Sequence, residues 1–474
     1  MDAISLSLLD IIAQSEQARL DYYAKCERYY DGDHPLKVPE KYREILEREY
    51  GMVVNYCAPI VDAVVSRLKI ESIQCEDGPT KAFVDKVWKA NRMNMKQIKT
   101  FRNAVKKGDA FIQVWPHFPK GSNKPDRFEI KFLRPDIVFP FYSSDDDESL
   151  EWVKKQWIAY IGGEPVARKD VFYPDRIERY YAGVNSPTMT LADFASTAWM
   201  PYETDGQLSV IPNPYGRIPI VHFKNKEDDS PFGASELQNA FTVQNGINKL
   251  IIDLVRTADF QAFKQRYITG LEEEEVPVNP DTGKRELQCN PGDVWRFGGD
   301  GGDIVVGELS QSDPAGILKS INEMVDHLCA VTRTPKTVLS DNDGTIASGF
   351  ALSKVEAPLL NKVAECQISF GASYEDLNRL LLIMGKHHGE NVKVDADVWA
   401  SWKEVTADSP SDRLAEAQRR QILKQNRVVS ARQWALEEGY TPEEIERMQG
   451  EMATEGEAET ADLLGHGFAE GTEE

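Results

Sequence analysis

Two apolar stripes at helical spacing, with a polar, glycine-rich stretch between them, constrain what this chain can fold into more than any other feature. The first keeps one apolar face through Leu237, Ala240, Phe241, Ile247, Leu250, Ile251, Leu254 and Ala258, the signature of a helix packed along one side. It starts at about residue 234, after the turn Ser230-Pro231-Phe232-Gly233. At 1.5 Å per residue, a helix of roughly 28 residues is about 42 Å long, a strut rather than a piece of globular core. The second stripe, Ile317, Ile321, Met324, Leu328 and Val331, follows Asp313-Pro314, an N-cap with proline in the first turn. Between them lie strand-like pieces at Tyr267-Ile268-Thr269-Gly270 and Asp293-Val294-Trp295-Arg296-Phe297, the acidic run Glu272-Glu273-Glu274-Glu275, and Arg285. The pattern predicts a helical hairpin with a small β-containing tip.

The first ninety or so residues read as helical, with an apolar face through Leu8, Ile11, Ile12, Tyr22, Tyr23, Tyr29 and Tyr30 that breaks at Asp31-Gly32-Asp33-His34-Pro35. Further helical patterns follow at Ile60, Ala63, Val64 and Leu68, and at Phe83, Val84, Val87 and Trp88. From about residue 108 the texture changes to short β-branched and aromatic runs parted by turn residues. These runs are 110–115, 128–132, 156–160, 176–181 and 218–223. Beyond the second strut, a loop from Pro335 to Gly349 leads to a third helix, Phe350 to about Met384, which Pro358 should kink. Shorter helices are expected at Ser411–Asn426 and Ser430–Glu438. From Gly450 onward come eight acids and no lysine or arginine, the composition of a disordered acidic tail.

At 474 residues the chain is too long for one core and should form several linked parts. No run of about eighteen apolar residues spans a bilayer, and the acidic N-terminus does not read as a secretion signal. The six cysteines lie far apart without a CxxC pair, which favours buried free thiols over zinc or disulfides. Net charge is −22, which opposes tight wrapping of nucleic acid, because phosphate binding runs on lysine and arginine.

Motifs for chemistry fail on inspection. Asp341-Asn342-Asp343-Gly344 opens like a calcium loop, but Thr345, Ile346 and Leu352 occupy the positions that need an acid, glycine and glutamate. His387 and His388 are adjacent, so they point to different sides of a helix and read as solvated. The run Gly298-Gly299-Asp300-Gly301-Gly302-Asp303 lacks the lysine of a phosphate loop, and no nucleophile elbow is present. Asp145-Asp146-Asp147 reads as a solvated loop. The sequence therefore points to no enzyme, no cofactor and no metal.

Four short motifs sit at telling places in this element order: Tyr29-Tyr30-Asp31-Gly32-Asp33-His34-Pro35, Asn55-Tyr56-Cys57-Ala58-Pro59-Ile60-Val61-Asp62, Phe232-Gly233-Ala234-Ser235-Glu236-Leu237 and Ser348-Gly349-Phe350-Ala351-Leu352. Together with the order, they resemble the portal proteins of tailed bacteriophages, of the siphophage head–tail connector type, over roughly residues 20 to 445. The resemblance implies an α+β portal fold. Its wing has an N-terminal part at 1–233, helices then β-rich, and a long kinked helix at 350–395. Stem helices would cover 234–264 and 313–335, a small β-containing clip 265–312 and a tunnel loop 336–349. A short helical crown would cover 396–449 and the acidic tail 450–474.

By the same resemblance, Lys336, Asp341, Asn342, Asp343 and Thr345 would face a DNA channel, and Glu272, Glu273, Glu274, Glu275 and Arg285 would dock a motor or connector. Ser348, Gly349, Ala351 and Leu352 would carry the family signature. The implied partners are further copies in a ring of twelve, double-stranded DNA, the terminase large subunit, a head–tail connector or adaptor, and the major capsid and scaffolding proteins. No membrane is implied; the place would be the capsid portal vertex of the virion, assembled in the host cytoplasm. An acidic or mixed wall suits this role, since it lets a polyanion slide where a basic one would grip. The competing readings are a phage metal-dependent nucleic-acid enzyme and another structural virion protein, such as a head–tail adaptor.

Overall fold

The computed structural model describes residues 3–34, 54–119, 121–122, 124–143, 149–184, 198–204, 208–226, 230–262, 266–270, 276, 278, 283–285, 305–308, 314–339 and 349–403, with scattered positions from 418 to 452. The chain divides into two compact units, one of residues 1–346 with 355–405 and one of 347–354 with 406–474. The elements below belong to the first unit, apart from the opening residues of its longest helix.

The N-terminal part is helical, as its spacing demands: α1 (Ala3–Asp31), α2 (Cys57–Val65), α3 (Gly78–Ala90) and α4 (Met93–Lys107). Asp77 caps α3, its carboxylate accepting from the Thr80 N–H at 3.1 Å and the Thr80 hydroxyl at 2.6 Å. Between α2 and α3 runs β1 (Ile70–Cys75), inside a stretch whose pattern reads as helical. Its partner is β13 (Val398–Trp402), antiparallel, with Ile73 opposite Ala400. That second strand lies where the sequence predicts the start of a helical C-terminal part. Each run is too short to show its period, and only their pairing across the chain selects strand.

The β-rich section has the expected runs and four more strands. They are β2 (Asp109–His117), β3 (Arg127–Leu133), β4 (Val138–Tyr142), β5 (Leu150–Ile161), β6 (Glu164–Phe172), β7 (Arg176–Gly183), β8 (Met200–Pro201), β9 (Val210–Pro212) and β10 (Ile220–Lys224). They form two antiparallel sheets, one ordered β10-β2-β3 and one ordered β4-β5-β6-β7-β8, with β9 also on β7. Phe111, Val138, Val153, Phe172 and Ile220 pack together in the smaller apolar core. The larger core gathers the N-terminal helices onto the longest helix: Phe101 stacks on Phe370 at 5.5 Å and meets Trp402 at 5.6 Å.

The struts follow as α5 (Phe241–Ala262) and α6 (Pro314–Thr332), with β11 (Arg266–Thr269) and β12 (Val305–Glu308) paired antiparallel between them. Then come the short α7 (Lys336–Leu339) and the 39-residue α8 (Gly349–His387). α8 runs on through Pro358, which is exposed. Among the described residues no helix is long and apolar enough to cross a membrane.

The first strut starts at Phe241 rather than near 234. Residues 234–240 are claimed by other bonds: the Ser235 hydroxyl donates to the Lys106 carbonyl at 2.5 Å and accepts the Leu237 N–H at 3.0 Å, while the Glu236 N–H donates to the Val105 carbonyl at 3.0 Å. At 22 residues α5 is about 33 Å long.

One backbone contact sets this junction. Gly108 ends α4 with φ 96°, and its carbonyl accepts the Asn225 N–H at 2.8 Å. Gly233 lies against both, and a Cβ on it would collide with the Gly108 carbonyl and stand 2.7 Å from the Asn225 N and O. Glycine is needed for close approach, not for conformation. Gly233→Ala should therefore lower unfolding stability by about 3 kcal/mol in a denaturant titration. Gly78→Ala, where a Cβ meets nothing within 4 Å, should leave it nearly unchanged.

Candidate functional site at the root of the struts

Three polar systems converge at the start of α5. The first clamps the start of the helix. Gln244 donates Nε2–H to the Val54 carbonyl at 2.7 Å and accepts the Tyr56 N–H at 3.0 Å; Asn248 accepts the Val54 N–H at 3.1 Å. Two buried amides thus satisfy backbone groups of the segment that leads into α2. Asn245 and the Tyr29 hydroxyl exchange hydrogen bonds at 2.7 and 3.0 Å. His34 donates Nε2–H to the Tyr29 carbonyl at 2.8 Å and accepts from Asn248 at 3.0 Å through Nδ1. Asn55 completes the clamp by donating to the Tyr30 carbonyl at 2.8 Å.

The second system surrounds Asp109, which is fully buried at the start of β2. One of its oxygens accepts the Gly233 N–H at 2.8 Å and the His222 Nε2–H at 2.8 Å. The other accepts the Tyr23 hydroxyl at 2.5 Å and pairs with Arg19. Arg19 also donates to the Gly233 carbonyl at 2.6 Å and lies over the rings of Tyr22, Tyr23 and Phe232, each at 4.8 Å. The other His222 nitrogen accepts from the Tyr142 hydroxyl at 2.6 Å. Burial pushes the Asp109 carboxyl up, but His222, Arg19 and Tyr23 outweigh it and hold it below the ordinary carboxylate value. Burial pushes His222 down, so it stays neutral, as its two hydrogen bonds require.

The third system is an ion cluster around Glu236. Its carboxylate lies 3.2 Å from the Lys226 ammonium and 3.3 Å from that of Lys362, and accepts from Asn225 at 3.1 Å. Burial pushes Glu236 up, yet two lysines and an amide hold it below an ordinary glutamate. Lys362 faces that single acid, and burial holds it below an ordinary lysine. Among the described residues no group of three or more histidines, cysteines or acids comes together as a metal site. The described cysteines, Cys26, Cys57, Cys75, Cys329 and Cys366, are free thiols.

The segments meeting here, 29–34, 54–57 and 232–237, belong to three of the four motifs that carry the phage resemblance. The chain matches the family of phage portal proteins of the SPP1 Gp6-like type over residues 9–458. It belongs to the phage portal protein family. It is similar to the portal protein of Mycobacterium phage L5, with 23% identity over 390 residues, 78% of this chain and 73% of that one. It is similar also to the portal protein of Mycobacterium phage D29, with 22% identity over 69% of this chain and 64% of that protein, just under two thirds of its length. Among solved structures, a chain from the neck of a native gene transfer agent particle computed with C12 symmetry is 12% identical. The match covers 85% of this chain and 94% of that one, with a TM-score of 0.46.

The portal residues named from sequence fall in separate elements. Lys336 opens α7 and pairs with Asp326 of α6 at 2.7 Å. Arg285 forms a bridge with Val278 and donates to the Val276 carbonyl at 3.0 Å. Gly349 is the first residue of α8, and Ala351 and Leu352 lie in its opening turn. Asp341, Asn342, Asp343, Thr345, Ser348 and Glu272–Glu275 lie outside the described residues. His388, read as solvated, is half-buried instead, with Nε2 bonded to the Tyr215 hydroxyl at 2.8 Å.

Asp109, His222 and Lys362 carry no motif and escape a reading of the sequence. Lys362 alone left a trace, a charge set between Leu359, Val363 and Cys366 on the apolar side of a helix.

These proton affinities give the junction a defined pH response. His222 and His34, both pushed down by burial, and the depressed Asp109 and Glu236 each bind fewer protons folded than unfolded. Stability therefore falls as pH falls. The loss starts below the ordinary histidine value of 6.5 and deepens below the ordinary glutamate value of 4.5. Thermal midpoints should decline in those two windows; a midpoint that holds or rises between them would contradict the assignment.

Proposed function

We propose that the chain is one subunit of a ring of twelve copies at a single capsid vertex, a passive conduit through which double-stranded DNA is packaged and later ejected. The observation that carries this reading is the pair of struts, α5 and α6, fixed at the root by three buried polar systems and bearing a small strand pair, β11 with β12, between them. A passing duplex demands a wall that neither bends nor grips. Buried hydrogen bonds at the root supply stiffness, and a net charge of −22 keeps phosphate contacts shallow. Leu318 and Val331 on α6 stay about half exposed in one copy, surface that a neighbour in a ring would cover.

In this reading the segment 265–312, with Glu272–Glu275 and Arg285, docks the terminase large subunit and later the head–tail connector. Lys336, Asp341, Asn342, Asp343 and Thr345 face the DNA, and the wing and C-terminal part meet the major capsid and scaffolding proteins. The subunit resides in the virion after assembly in the host cytoplasm. It works without cofactor or catalytic step. The portal family is a structural one, and a nucleic-acid enzyme would need a basic substrate face that a chain of this charge does not offer.

Negative-stain micrographs of the purified chain should show rings with a central hole wide enough for duplex DNA; monomers alone at high concentration would sink the reading. Deleting Asp341 to Thr345 should leave the rings intact and impair DNA packaging or retention, scored as the yield of filled heads. Loss of rings, with unimpaired packaging in those that survive, would overturn the assignment of this loop.

A further inference from the structure

α6 ends in an unusual closure. Arg333 adopts the left-handed conformation with φ 51°. The Thr334 N–H returns to the Cys329 carbonyl at 3.0 Å, and the Arg333 N–H to the Ala330 carbonyl at 3.3 Å. This is the Schellman pattern, in which glycine is the favoured residue at the position Arg333 holds. A side chain there costs on the order of 1 kcal/mol, so its retention asks for a compensating contact. The guanidinium supplies one, reaching α8 through two bonds to the Glu365 carboxylate, at 2.9 and 2.7 Å.

One turn earlier on α8 stands Lys362, only 1% exposed. Its ammonium donates to the Thr332 carbonyl at 2.8 Å, one of the carbonyls that the end of α6 leaves without a helical partner. A cation there also complements the helix dipole. The same ammonium reaches Glu236, 3% exposed, just ahead of α5. Three elements thus meet on one buried charge: the approach to the first strut, the end of the second, and the long helix.

We infer that Lys362 is a positioning residue, which sets the direction in which the chain leaves α6 by joining that terminus to the root of α5 and to α8. Its consequence for DNA rests on the conduit reading, because the chain leaving α6 runs toward the segment assigned there to the channel. Arg333 and Glu365 form a second tie one turn along, so the exit is held twice to the same helix.

The test separates positioning from bulk stability. Lys362→Met combined with Glu236→Gln removes both buried charges at nearly constant volume, so the full-length protein should keep its thermal midpoint. Amides of Arg333 and Thr334 should then exchange about tenfold faster, the size of one lost charge-assisted hydrogen bond, while those of β5 and β6 keep their rates. Phage carrying the double substitution should make rings normally and lose DNA-filled heads. Arg333→Gly, which places the favoured residue and removes the second tie, should fold as well as the parent and also lose filled heads; it serves if the first variant fails to fold. Unchanged exchange at Arg333 and Thr334 would overturn the positioning role. Faster exchange with filled heads at the parental yield would overturn its part in DNA passage. Failure of the conduit reading shows separately, as a parent chain that forms no rings.

Discussion

Asp109 is a carboxylate with no access to water, and the packing at the root of the struts follows from the need to keep it satisfied. A lone charge there would cost several kcal/mol, so its two oxygens accept from a backbone N–H, a histidine, a tyrosine and an arginine. The four donors come from three parts of the chain: Arg19 and Tyr23 from α1, His222 from β10, and the Gly233 N–H from the segment before α5. Satisfying one acid therefore fixes three elements at once. The Gly108–Gly233 contact lets the backbone come close enough for this, which is why side-chain volume at that point is excluded.

The Glu236 cluster repeats the logic on the other side of the same short segment. Phe232 to Leu237 touches Asp109 through Gly233, the N-terminal helix through Ser235 and Tyr22, and α8 through Glu236 and Lys362. The apolar core supplies most of the burial, but it is not directional. Angles between long helices are held better by hydrogen bonds and ion pairs, which lose energy steeply when geometry drifts. A machine element that must stay straight while a polymer slides past gains from that kind of fastening.

Much of the architecture was legible in the sequence because period survives without tertiary knowledge. The α6 stripe found that helix, with its start placed within a residue and its end three residues too late, and the aromatic runs at 128–132 and 176–181 found β3 and β7. What escaped has physical reasons. β1 and β13 are short and select each other only across the fold. The start of α5 moved because Ser235 and Glu236 bond to residues far earlier in the chain, and no local window records that. At the junction, resemblance singled out Gly233 to Leu237 without a reason; their partners Gly108, Asp109 and Lys362 supply it. A buried ion pair leaves at most one misplaced charge in an apolar stripe, and a histidine with two partners looks like any other histidine.

The separations around Asp109 also impose an order of events. Arg19 lies 90 residues before Asp109 and 214 before the Gly233 carbonyl, and the Gly233 N–H lies 124 beyond Asp109. A chain emerging from the ribosome holds its arginine and its acid long before the last donor exists. The N-terminal helices and the first sheet must wait, with one oxygen of Asp109 still short of its amide, until the segment before α5 has been made. Contacts so distant close slowly. Closure of the N-terminal helices onto the first sheet is thus gated by the arrival of a few residues at the foot of the first strut.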